Sequence, residues 1–172
     1  MQESPPSLDA LDWQLLAELS RNGRITQNAL SEAIGRSPTA IARRQAALEE
    51  AGVIAGYEAK LDLRRLGHGT IVHIKIALGS QRAEALEAFE CAVADCPSVV
   101  RCDLMSGTDD YLVTVLARSL DHFAEIHRAE LSHLPGVVRM ESGFVLREVV
   151  KPRLPPSLMP GQSNRTHFSR SS

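Results

Sequence analysis

Apolar residues recur at helical spacing over the first third of the chain and alternate over much of the rest. Leu11, Leu15, Leu16 and Leu19 share one face of a helix expected from about Ala10 to Ser20. Asp9 can cap that helix, Asp12 suits its dipole, and Asn22-Gly23 ends it. A second helix is expected after Thr26, with Ile25 and Leu30 spaced for a hydrophobic staple and Gly35 as the left-handed stop. Ser37 then caps a third helix, Pro38 occupies its first position, Ile41 and Leu48 face inward, and Gly52 closes it. Two short helices joined by a tight glycine turn, with a third to pack against, form a helix-turn-helix. A plain three-helix bundle would show the same periodicity.

Val53 to Leu63 is expected to be a short hinge strand, and Gly67 and Gly69 mark a boundary. From Thr70 to Leu78, Val72, Ile74, Ile76 and Leu78 fall on one strand face. A helix follows from Arg82 to Asp95, with Leu86, Phe89 and Val93 on one side, and Pro97 breaks it. Strands are expected at Val99 to Met105 and at Tyr111 to Ala117, joined by the polar turn Ser106-Gly107-Thr108-Asp109-Asp110. The next helix spans Asp121 to Leu134 with Phe123, His127 and Leu131 inward, and a last strand spans Val137 to Val149. The order βαββαβ is a ferredoxin-like split, with two helices on one face of the sheet. The other face needs a cover, and a second copy of the chain is the economical one.

The expected class is therefore α+β, with a winged-helix-like N-terminal unit and a ferredoxin-like second one. The divisions are 1–52 for the helix-turn-helix, 53–69 for hinge and linker, 70–150 for the sensing and assembly domain, and 151–172 for a tail. That tail has four prolines, four basic residues and no acid, so it reads as disordered and basic.

The chain's net charge of −2 is less informative than its distribution. Between Arg21 and Leu48 stand five arginines and one acid, the electrostatic footprint of a nucleic-acid surface. In a helix-turn-helix the start of the second helix meets base edges. Here that is Ser37, Pro38, Thr39, Ala40 and Arg43, with Thr39 and Ala40 small enough to touch a thymine methyl. Arg36 and Arg44 are expected on phosphates. Cys91, Cys96 and Cys102 lack zinc spacing and read as reduced structural thiols. No apolar run spans a bilayer and Met1 to Ser7 lacks a basic leader, so a cytoplasmic location is expected. No metal or cofactor is expected.

Three segments in order resemble the Lrp/AsnC, or feast/famine, transcription regulators over roughly Leu8 to Val150. They are LDALDWQLLAELSRNGRIT at Leu8–Thr26, SPTAIARRQAALEEAGVIAGYEA at Ser37–Ala59, and SGTDDYLV at Ser106–Val113. The resemblance implies a second domain of the RAM or ACT-like kind that binds an amino acid or similar metabolite. It also implies dimers that often build octamers. The effector would lie near the Gly-x-x-Asp-Tyr turn, here Ser106, Gly107, Asp110 and Tyr111. Free turn N–H groups suit a carboxylate and Asp110 suits an ammonium group; equally, Asp110 can cap the turn while Tyr111 packs. Departures from the family pattern are Gln45-Ala46-Ala47 in place of a Val-Lys-Arg run, Thr108 in place of an acid, and Gly143 in place of a larger side chain.

The expected function is a sequence-specific regulator of double-stranded DNA, controlled by a small effector. Two alternatives are a siroheme-decarboxylase-like enzyme on the same fold and a nonspecific DNA-organising protein. No catalytic motif supports the enzyme; His73, His122 and His127 are the histidines worth naming.

Overall fold

A computed structural model describes residues 6–150. The expected tail at 151–172 lies outside the described residues. The chain divides into two compact units between Lys60 and Leu61.

The first unit holds α1 (Ala10–Arg21), α2 (Gln27–Ile34) and α3 (Pro38–Glu50). Each start is set by a side-chain cap. Asp9 and Asp12 form a reciprocal capping box on α1, Thr26 accepts from Ala29 N–H, and Ser37 accepts from Ala40 N–H. Gly35 has φ 73°, and its N–H and that of Arg36 both reach Ser31 carbonyl, so three residues suffice to turn α2 into α3. Leu15, Leu19, Leu30, Ile41 and Leu48 close the core, with Ile25, Val53 and Ile54 against it.

Among the described residues no strand lies between α3 and Thr70, which corrects the hinge strand expected at Val53 to Leu63. Its composition suits a strand, but among the described residues of this unit no other strand offers a ladder. Val53 and Ile54 N–H both donate to Leu48 carbonyl instead and finish the helix.

The second unit is a four-stranded antiparallel sheet in the order β2-β3-β1-β4. Its strands are β1 (Thr70–Leu78), β2 (Val99–Leu104), β3 (Tyr111–Ala117) and β4 (Val137–Phe144), with helices α4 (Ala83–Ala94) and α5 (Leu120–Ala129). Val72, Ile74 and Ile76 of β1 join Tyr111, Val113, Val115 and Ala117 of β3 under Phe89, Val93, Phe123 and Ile126. This is the ferredoxin-like split, helices on one face.

Three boundaries differ from expectation. Strand β4 stops at Phe144 rather than Val149, because its partner β1 begins at Thr70 and Phe144 already pairs with Val72. Helix α5 ends at Ala129, and Leu131–His133 form a separate 3-10 turn. The inward residue is Ile126, three after Phe123; His127 is exposed, its ring edge-on to Phe123 with centroids 6.2 Å apart. Glu130, at the break, accepts from Ser98 N–H at 3.1 Å and Ser98 hydroxyl at 2.7 Å. Met105 leaves β2, and its N–H donates to Asp110 carbonyl at 2.8 Å.

Candidate DNA interface and effector site

Arg36, Ser37, Pro38, Thr39 and Arg43 are all exposed and Ala40 is half-buried, so the start of α3 forms one open surface. Neither Arg36 nor Arg43 forms an ion pair among the described residues.

Arg44 differs from its expected phosphate role. Its Nη2 bonds Asp9, and its Nε stands 2.6 Å from Asp12 Oδ1, a charge contact without hydrogen-bond alignment. Asp12 is only 3% exposed, so Arg44 acts as an internal clamp between α3 and the start of α1.

Gln45 is the residue whose role sequence reasoning missed. Its Oε1 accepts from Gln27 Nε2 at 2.7 Å. Its Nε2 donates to Tyr57 hydroxyl at 2.6 Å and to Glu49 at 3.1 Å. Tyr57 hydroxyl donates to Glu49 at 2.7 Å, and burial, then the bond to Glu49, pushes its pKa up. The chain after α3 is thereby tied back to α2 and α3. The Tyr57 ring lies beside Gly23: a Cβ there would meet Tyr57 Cδ1 at 3.4 Å, an ordinary van der Waals contact. An aromatic after a helix-ending glycine was the available signal.

At the predicted effector turn the four residues split. Ser106 and Gly107 are exposed, while Asp110 is 7% exposed and Tyr111 is 1% exposed. Asp110 Oδ2 accepts from Leu78 N–H at 2.7 Å, and Oδ1 accepts from Gln81 Nε2 at 2.8 Å. Both oxygens are thus engaged by the protein, and the carboxylate ties the turn to the end of β1. Tyr111 lies against Phe89 with centroids 4.5 Å apart, and its hydroxyl donates to Glu90 at 2.7 Å. Burial and the Glu90 bond push its pKa well up. Asp109 pairs with Arg139 at 2.6 Å. Thr108 is exposed, and Gly143 sits opposite His73 on β1.

The three named histidines do not meet in a common site. His73 bonds Thr114 at 3.1 Å on the open sheet face, His122 accepts from Arg118 N–H at the start of α5, and His127 is exposed. Among the described residues no group of three or more His, Cys, Asp or Glu could hold a metal, and no helix is long and apolar enough to cross a membrane. The three cysteines are free thiols.

Two family profiles match the chain. A winged helix-turn-helix DNA-binding profile covers residues 8–55, and the Lrp/AsnC ligand binding domain covers residues 71–155. The proline dehydrogenase transcriptional activator of Rhodobacter capsulatus is 37% identical over 151 residues, 88% of this chain and 97% of its own length. The chain belongs to the Lrp/AsnC family. The leucine-responsive regulatory protein of Escherichia coli is 33% identical over 83% of this chain and 87% of its own. Among solved structures, a transcriptional regulator of Neisseria meningitidis in complex with L-methionine superposes with TM-score 0.81 at 31% identity, over 87% of this chain and 97% of that one. Within the Lrp/AsnC family this chain is a DNA-binding transcription regulator with a ligand-binding domain of ferredoxin-like shape.

Proposed function

We propose that the chain reads double-stranded DNA with the start of α3 and that a small amino-acid-like effector, bound in the second unit, changes its DNA affinity or assembly. One observation carries the first half. Ser37, Pro38, Thr39 and Ala40 present small side chains beside Arg36 and Arg43, which have no acidic partner among the described residues. Arg36 positions by phosphate contact and Arg43 reads guanine or phosphate. The L-methionine complex of the meningococcal relative supports the second half. Ser106 and Gly107 are the turn residues left open to such a molecule, while Asp110 and Tyr111 hold the turn in shape.

The working form is a homodimer, with octamers built from it. The sheet face away from the helices carries Ile71, Leu112 and Leu116 with His73, Lys75 and Glu141, and a second copy is its natural cover. A regulator that reads DNA works where the DNA is, in the cytoplasm.

Fluorescence anisotropy at ~150 mM salt tests the reading, because there the nonspecific electrostatic contribution is damped. The probes are the protein's own upstream region and a scrambled control, with and without the twenty amino acids. Preferential binding that the pool alters is expected, and Arg43→Ala weakens it by roughly 1–3 kcal/mol without unfolding the protein. Equal affinity for both probes overturns the regulator's sequence specificity.

A further inference from the structure

Two acids are buried among the described residues, Asp12 and Asp110. The fold treats them differently. Asp12 has a cation of its own, with Arg44 Nε at 2.6 Å. Asp110 pairs with no Lys, Arg or His nitrogen among the described residues. Arg139, the cation that reaches its turn, is shared between Asp109 at 2.6 Å and Glu141 at 2.9 Å. A buried carboxylate is ordinarily paired, because burial removes the water that would otherwise offset its charge.

Two neutral donors stand in for the cation, and they differ in how readily they can leave. Leu78 N–H, 2.7 Å from Asp110 Oδ2, is backbone at the end of β1 and is fixed by the sheet. Gln81 Nε2, 2.8 Å from Oδ1, ends a flexible side chain on an exposed residue. Gln81 lies in the connection between β1 and α4, so its side chain can let go without breaking a ladder or helix bond. Its amide then trades one neutral hydrogen bond for another with water, a small net change. An ammonium group arriving at Oδ1 makes a charge-assisted bond, roughly twice as strong as a neutral one, and supplies the missing counter-charge.

We propose that Gln81 is a displaceable plug: it occupies the position on Asp110 Oδ1 that the effector's ammonium group takes, and so sets how tightly the effector binds. The Leu78 bond to Oδ2 remains throughout and keeps the turn on β1. The ligand class narrows to molecules with a free ammonium group, since an N-acylated amino acid brings no charge to the exchange. The inference rests on the reading that an amino-acid-like effector binds in the second unit. It gives control of that site to a residue outside the Ser106–Tyr111 segment.

Substitutions at Gln81 should move effector affinity in opposite directions. The full chain, Gln81→Ala and Gln81→Lys are titrated calorimetrically with each of the twenty amino acids and with the N-acetyl derivative of the tightest binder. Gln81→Ala removes the plug and should tighten binding about fivefold. Gln81→Lys replaces it with a tethered ammonium group and should weaken binding by about tenfold or more. A residue that merely braced the turn would give the reverse, with binding lost in Gln81→Ala and kept in Gln81→Lys. The N-acetyl derivative should not bind. In the parent, saturation should also move the Gln81 side-chain NH2 resonances to those of a solvated glutamine, a readout that needs no change at the site. Weaker or unchanged binding by Gln81→Ala, undiminished binding by Gln81→Lys, unmoved resonances, or an N-acetyl derivative that binds like the free amino acid overturns the proposal.

DNA anisotropy on the same three proteins separates the two readings. An amino acid that shifts DNA affinity equally in all three keeps effector control and removes the plug. Binding that follows Gln81 but leaves DNA affinity unchanged keeps the plug and removes effector control. No amino-acid binding to any of the three removes both.

Discussion

Replacing Arg44 with alanine leaves Asp12 without the cation that stands 2.6 Å from its Oδ1. Asp12 Oδ2 keeps the Asp9 N–H of the capping box at 2.9 Å, so one oxygen stays satisfied while the charge loses its partner. Breaking a fully buried pair costs roughly 3–5 kcal/mol. The Asp12 side chain is 5% exposed but that of Arg44 is 38% exposed, so water shares the load and about 2 kcal/mol is the better figure. Arg44 to Asp9 is a surface contact and adds little. A unit of this size holds only about 3–9 kcal/mol in total, so the loss is a large fraction of it. With a urea slope near ~1 kcal/mol/M for so small a unit, the midpoint should fall by about 2 M. Trp13, the chain's single tryptophan, follows Asp12 in α1, and its fluorescence reports this unit selectively. The charge-free double variant Asp12→Asn/Arg44→Met should recover at least half of the loss, because no lone charge is then buried. An Arg44→Ala midpoint within ~0.3 M of the parent would refute the clamp. A DNA salt slope shallower by about one in the same variant would then return Arg44 to the phosphates.

Iodoacetamide at about pH 8 should modify exposed Cys91 well before Cys102, whose thiol is pushed up to about 11 and is thiolate in only about one molecule per thousand; equal rates by peptide mass spectrometry would contradict the burial assigned to Cys102. Asp110→Ala should strip Leu78 N–H and Gln81 of their acceptor and cost about 2 kcal/mol. The check is the Leu78 amide, which should exchange with solvent far faster in the variant, and unchanged protection would remove Asp110 as the anchor of the turn. Arg24, Arg36 and Arg43 are exposed and lack acidic partners among the described residues, so log affinity against log salt should fall with a slope near about −3 per bound unit; a slope steeper than about −4 would bring in cations from elsewhere.

Elements whose signal is local were legible in the sequence. The caps Asp9, Thr26 and Ser37, the φ 73° glycine at Gly35 and the alternation of β1 and β3 each depend on neighbours within a few positions. What failed depended on distant partners. Val53 to Leu63 has the composition of a strand, but pairing needs a second strand and the described residues of this unit supply none. Helical spacing pointed to His127, while the adjacent Ile126, equally allowed by a 3.6-residue period, buries better.

The same division runs through the candidate sites. Residue type shows which chemistry a side chain can do, and tertiary contact decides whether it is free to do it. Arg44 and Arg43 are adjacent and alike in sequence, yet acids 32 and 35 residues earlier consume the first and leave the second. Gln45, read as the loss of a phosphate contact, holds Gln27, Tyr57 and Glu49 together. Asp110, read as a partner for an ammonium group, gives each oxygen to a donor within the fold. Counting charges therefore does not separate the groups that pair within the fold from those left open, because the contacts that set the turn and cap α1 come from residues distant in sequence.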